Sequence, residues 1–314
     1  DHRDLHSFPT RRSSDLGWYS WGIQYRYDGL GNRSGYTTPD QLNVNYSLNA
    51  LGQPLSVTSG WGTHASGISY YPNGAIKQFT YGNGIVHTMD QNARQLPIRT
   101  VDGAVQNLVY SYDHNGNVEA IGDYVQGGGD GSHSRWMTYD GLDRLTSVGS
   151  CMFGGDCWHR FTYNALDNLT SWKLAGVKDY AAYVYDATNR LIGIQNSVAA
   201  TVVGLSYDPQ GNLENKNGQA YHFDYGNRLR EVVGKESYRY DGYGRRLSAR
   251  SATDGDILSM YGQDGQLVFR QDWRRNLSLP HIYLGNSLLA TIEWNFVTNT
   301  GELRYQHTDA LGSP

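Results

Sequence analysis

Apolar and polar side chains alternate in short runs along most of this chain. Arg135-Trp136-Met137-Thr138-Tyr139 changes polarity at nearly every step and is rich in strand formers, the pattern of a half-buried strand. Asp140-Gly141-Leu142-Asp143 interrupts it with turn chemistry, since glycine reaches positive φ without strain and aspartate can bond its own backbone. Arg144-Leu145-Thr146-Ser147-Val148 then resumes strand. Asn73-Gly74 and Asn83-Gly84 are further hairpin signals. No window sustains apolar residues at i, i+3, i+4 and i+7, and glycine or Asn-Gly interrupts nearly every helical candidate. The pattern predicts an all-β chain of antiparallel hairpins.

The hairpins repeat. A Tyr-Asp pair followed by a turn and a Leu, Val or Arg occurs at Tyr27-Asp28, Tyr112-Asp113, Tyr139-Asp140, Tyr185-Asp186, Tyr207-Asp208 and Tyr240-Asp241. Tyr163, Tyr185 and Tyr207 are spaced by 22 residues, as are Tyr261, Tyr283 and Tyr305. Such a period marks stacked supersecondary units. A repeat of this length holds two strands and two turns, and a repeat chain builds a surface or container more often than one catalytic pocket. Gln126 to Ser134, rich in glycine, is the best candidate for an inserted loop, and no linker divides the chain into separate domains.

Composition adds 38 Gly and 25 Tyr against 7 Phe and 4 Met. That is poor material for a solid two-layer core and suits a thin β layer, with tyrosine rings packed on one face and their hydroxyls wet or bonded. Residues 1–16 resemble the translation of a widely used DNA-sequencing adapter in all sixteen positions and lack the apolar run of a signal peptide. They are expected to be a disordered assembly artefact, leaving 17–314 as a repeat region incomplete at both ends. The net charge of -4 is spread along the chain and gives no electrostatic argument for nucleic acid. No apolar run is long enough to span a membrane as a helix.

Candidate chemistry is sparse. No Gly-x-Ser-x-Gly, His-Glu-x-x-His or phosphate-cradling loop occurs. His307, Asp309 and Ser313 could be imagined as a triad, but without a nucleophile elbow they are expected to tie the last strand to its turn. Asp123 with Gly127 to Asp130 supplies too few regularly spaced oxygens for calcium. The repeated aspartates, Asp28, Asp113, Asp140, Asp186, Asp208 and Asp241, are expected to cap turns. The tyrosines Tyr27, Tyr112, Tyr139, Tyr163, Tyr185, Tyr207 and Tyr240 are expected to pack on the neighbouring repeat, with a stacking platform for sugars as the alternative. Cys151 and Cys157 close a short loop as a disulfide or stand as two free thiols. A zinc site using both with His159 lacks its fourth ligand.

These repeats, together with Tyr81-Gly82-Asn83-Gly84, Tyr283-Leu284-Gly285 and the terminal His307-Thr308-Asp309-Ala310-Leu311-Gly312-Ser313-Pro314, resemble the RHS/YD-repeat family over essentially all of 17–314. The family includes bacterial polymorphic toxins, wall-associated proteins, insecticidal toxin-complex components and animal teneurins. The resemblance implies a β-sheet ribbon spiralling as part of a hollow shell, with His307, Asp309, Leu311 and Gly312 in its closing segment. It implies a non-enzymatic role without cofactor, and a C-terminal toxin domain of the full-length protein as partner. It further implies a secreted or cell-surface location. Adhesion to surface glycans is the alternative role.

Overall fold

The computed structural model describes residues 21–125, 133–310 and 312. The adapter-like leader 1–16, the glycine-rich stretch 126–132 and Leu311 lie outside the described residues. Among the described residues the chain forms β-strands and one 3-10 turn, Cys151–Phe153, and no α-helix. The chain divides into two compact units, one made of the segments up to Met89 and from Gly234, the other of Asp90–Val233.

The first unit contains two antiparallel ribbons. One runs Gln24–Tyr27, Arg33–Thr37, Asn43–Leu48, Pro54–Ser59, Gly62–Tyr70, Ile76–Tyr81, each strand paired with the next. The other runs from Glu236–Tyr240 through Arg246–Ser251, Asp256–Tyr261, Leu267–Asp272, Leu277–Leu284 and Ser287–Asn295 to Thr300–Tyr305. Alternation places Val44 and Tyr46 of Asn43–Leu48 inward and their neighbours outward. Val44, Val57 and Ala65 of the first ribbon and Ile282, Leu289, Ala290 and Ile292 of the second belong to one buried cluster. Each fully buried aliphatic side chain there contributes about 1.5–3 kcal/mol, so this face is a main source of the unit's stability.

The thin layer expected from composition is therefore wrong for this unit. Tyrosine makes up the missing aliphatic volume and crosses between the ribbons. The hydroxyls of Tyr36, Tyr46 and Tyr81 donate to the carbonyls of His281, Tyr283 and Gln306 at 2.8, 2.9 and 3.0 Å. A buried phenol is tolerated because its one polar group is satisfied on the opposite strand.

The second unit follows the expectation more closely. Its strands again pair in chain order, from Pro97–Asp102 to Lys178–Tyr180 and from Ala182–Tyr185 to Leu229–Val232. Most strand positions are half-buried, as in Val118–Asp123 and Ala182–Tyr185. Fully covered apolar side chains, such as Leu174 at 1%, are few.

Candidate functional site: the row of tyrosine-aspartate turns

Asp140 shows what the repeated aspartate does. Its Oδ1 accepts the backbone N–H of Leu142 at 2.9 Å and of Arg144 at 3.1 Å, while Oδ2 accepts Arg144 Nε at 2.7 Å. The backbone closes around it, with the Asp140 N–H donating to the Arg144 carbonyl and the Asp143 N–H to the Asp140 carbonyl. Asp143 takes the left-handed conformation this closure needs, at φ 60°. The result is a turn ending in a β-bulge, with the register shifting between Thr138 and Tyr139 so that Tyr139 faces Leu145. Asp28, Asp186, Asp208, Asp224 and Asp241 make the same bonds to residues two and four ahead. Asp113 likewise binds Asn117 through both oxygens.

These bonds hold the carboxylates ionised. The Asn or Arg side chain four residues on pulls Asp28, Asp113, Asp140 and Asp208 below the usual carboxylate range. The Arg190 amide is the main cause that brings Asp186 to about 2. A carboxylate so occupied is unsuited to general acid or base work near neutral pH.

Five of the motif tyrosines reach the motif before their own. The hydroxyls of Tyr112, Tyr139, Tyr163, Tyr185 and Tyr207 donate to the carbonyls of Pro97, Val118, Leu145, Leu169 and Leu191 at 2.6–2.8 Å. Each acceptor is the residue that restarts the strand after the preceding turn. Tyr70 and Tyr283 repeat the rung in the first unit, on Pro54 and Leu267.

A second grip runs forward. The residue four after the aspartate position reaches the left-handed residue of the next turn whenever that residue carries an acceptor. Asn117 Nδ2 donates to Asp143 at 2.8 Å, Asn168 to Asn189 at 2.7 Å and Asn212 to Asn227 at 3.0 Å. Arg144 pairs with Asp167 at 2.7 Å and lies 4.9 Å from the centre of the Tyr163 ring. Glycine would relax these left-handed positions, and Asp or Asn stands there because it holds the previous motif.

Sequence reasoning missed several members of the row. Asn49, Asn92 and Asn164 fill the aspartate position, each accepting the N–H four residues on, and Asn196 makes the same turn at the opposite sheet edge, between Leu191–Gln195 and Thr201–Tyr207. Asp224 was hidden because Phe223 replaces the tyrosine. Their signal is a residue suited to positive φ three positions later, obscured at Gln95 and Ala199 by side chains that rarely adopt it. Of the predicted tyrosines, Tyr27 is 45% exposed and its hydroxyl reaches only Gln263, at 3.5 Å.

The terminal segment lies beyond the last strand. The last strand ends at Tyr305, and His307 and Asp309 follow it outside any strand. Gln306 donates its N–H to the Leu289 carbonyl, the His307 ring lies 4.6 Å from that of Tyr81, and Gly312 donates to the Asp309 carbonyl. Cys151 and Cys157 are thiols in one hairpin connection. His159 is committed elsewhere, accepting the Trp172 indole N–H on Nδ1 at 2.8 Å. Among the described residues no group of three or more His, Cys, Asp or Glu could hold a metal, and no helix is long and apolar enough to cross a membrane.

The teneurin YD-shell family profile matches residues 124–283. The chain is similar to the tRNA3(Ser)-specific nuclease WapA of Bacillus spizizenii, 27% identical over 227 residues, covering 70% of this chain and 8% of that protein. Two crystal structures share the fold. TcdB2-TccC3 superposes with a TM-score of 0.64 at 14% identity, over 94% of this chain and 17% of the other. TcdB2-TccC3-Cdc42 does so with a TM-score of 0.60 at 17% identity and the same coverage. The chain thus spans less than a fifth of the length of these relatives.

Proposed function

The chain belongs to the teneurin YD-shell family, and from that premise we propose that it is a non-enzymatic stretch of shell wall. In this reading the wall encloses, and helps deliver, a toxin domain carried further along the same polypeptide. One observation carries the proposal: the repeated polar groups are spent on holding one motif to the next. Seven carboxylates bind their own turns and seven tyrosine hydroxyls bind the preceding strand, an arrangement that builds wall and offers no reacting group. A relative supports a cargo-bearing whole, since it is named a nuclease. Such a protein would act outside the cell that makes it, secreted or at the cell surface. Glycan binding has weaker support, because most of the tyrosines that would form the platform have committed their hydroxyls.

In this reading the wall comprises 17–314, and 1–16 is foreign to it. Amplification of the genomic locus should fail to return a continuous frame encoding 1–16, and recovery of that frame would remove this part of the proposal. The function is tested by limited proteolysis of the full-length protein from the intact gene. The segment downstream of the repeats should resist protease until the wall is unfolded, and its digestion at the same rate as an exposed tail would overturn enclosure.

A further inference from the structure

The hairpin connection between Leu145–Gly149 and Trp158–Tyr163 is built more tightly than its glycine-rich sequence suggests. The Ser150 N–H donates to the Cys157 carbonyl at 2.8 Å and the Cys157 N–H to the Gly154 carbonyl at 2.9 Å. Cys157 is held in the left-handed region at φ 65°. Gly155 lies so close to the Ala175 backbone that a Cβ there would collide with its carbonyl oxygen. Asp156 pairs with Arg160 at 2.6 Å. The loop is thus pinned to the next hairpin and to its own strand, and the bonds from Ser150 to Cys157, from Cys157 to Gly154 and from Gly154 to Cys151 fold Cys151 and Cys157 into one closed turn. Cys151 is exposed and Cys157 half-buried.

We infer that Cys151 and Cys157 form a redox modification site, a thiol pair that an external disulfide of the glutathione class converts to an internal disulfide locking this hairpin end. The exposed Cys151 thiolate attacks the oxidised glutathione, forming a mixed disulfide and releasing one glutathione thiolate. Cys157, as thiolate, then attacks the Cys151 sulfur and expels the second. The two thiols are oxidised, one glutathione disulfide is reduced, and the two thiol protons end on the two glutathiones. Cys151 is the more exposed thiol, and hydrogen bonding to Cys151 raises the pKa of Cys157, so the first attack falls to Cys151 and the resolving step to Cys157. The loop closed is short and its two ends are already hydrogen-bonded through Ser150 and Cys157. The consequence is local, because the hairpin end at 150–157 carries no Tyr-Asp motif.

The test equilibrates the whole chain with oxidised or reduced glutathione, then combines intact mass, peptide mapping and hydrogen exchange. Oxidation should remove two hydrogens, map to a single Cys151–Cys157 link, and slow exchange of the Ser150 and Cys157 amides about tenfold or more. Cys151→Ser and Cys157→Ser should each abolish the slowing while leaving the reduced-state exchange of the rest of the chain unchanged. Stable glutathione adducts on both thiols, disulfide-linked dimers, or an internal bond that leaves both amides exchanging as before would each overturn the inference.

Discussion

At the scale of the residue, the Tyr-Asp motif divides its labour by position. Aspartate closes the turn, the third residue after it must accept positive φ, and the fourth returns a side chain to the carboxylate or reaches ahead. Asp140→Asn keeps the Oδ1 acceptor and should preserve slow exchange at the Leu142 and Arg144 amides, whereas Asp140→Ala should expose both; equal protection in the two variants would contradict the capping role. Ala199 occupies a left-handed position at φ 61° with its side chain exposed. Ala199→Gly is therefore expected to stabilise the chain by about 0.5–1 kcal/mol in chemical denaturation, the strain relieved minus the entropy of glycine. Asp143→Gly should not, because Asp143 also holds Asn117. A double-mutant cycle of Asn117→Ala and Asp143→Ala should show coupling beyond the roughly 0.3–0.5 kcal/mol scatter of independent sites. Turn-closing aspartates were legible in the sequence because their partners lie within four residues. The grip between Asn117 and Asp143 was not, since it joins residues 26 apart through a register that only pairing defines.

At the scale of the element, hairpins and their order follow from alternation and turn residues, and Arg135–Tyr139 with Leu145–Gly149 forms where the pattern placed it. The tyrosine rung ties each hairpin to the one before. Tyr163→Phe keeps the ring and removes one phenol-to-carbonyl bond, so it should cost about 1 kcal/mol of unfolding free energy. Tyr36→Phe removes a bond inside the two-ribbon core, where the ring is 2% exposed and the His281 carbonyl would lose a buried partner. It should cost more, about 1–3 kcal/mol. Equal losses would mean that the core bond is not distinguished from the wall rung. The two-ribbon core escaped the sequence because the composition suggested tyrosine rings packed on one face of a single thin layer. The hydroxyls of Tyr36, Tyr46 and Tyr81 find their acceptors on segments more than two hundred residues away.

At the scale of the whole molecule, two histidines set the response to acid. His64 is fully buried and His281 largely so, and burial pushes each down to about 4, with Arg270 adding to the effect at His281. An unfolded chain takes up these protons near 6.5, so acid favours the unfolded state once the pH drops below that value. Stability should be unaffected by these groups above about 6.5 and fall progressively as pH drops toward 4. Below the ordinary carboxylate value of 3.8, protonation of the capped aspartates should then weaken the turns as well. Urea midpoints measured down this range should decline in that order, and His64→Phe should flatten the first phase; a midpoint constant from neutral pH to 4 would show the histidines to be uncoupled from folding.

The central claim is that these motifs form wall around a cargo on the same chain. Single-particle cryo-electron microscopy of the full-length protein tests it most directly. Residues 21–125 and 133–310 should lie within a closed β wall, with density for the downstream segment on the enclosed side. Repeats arranged as an open ribbon, with the downstream segment in free solvent, would contradict it.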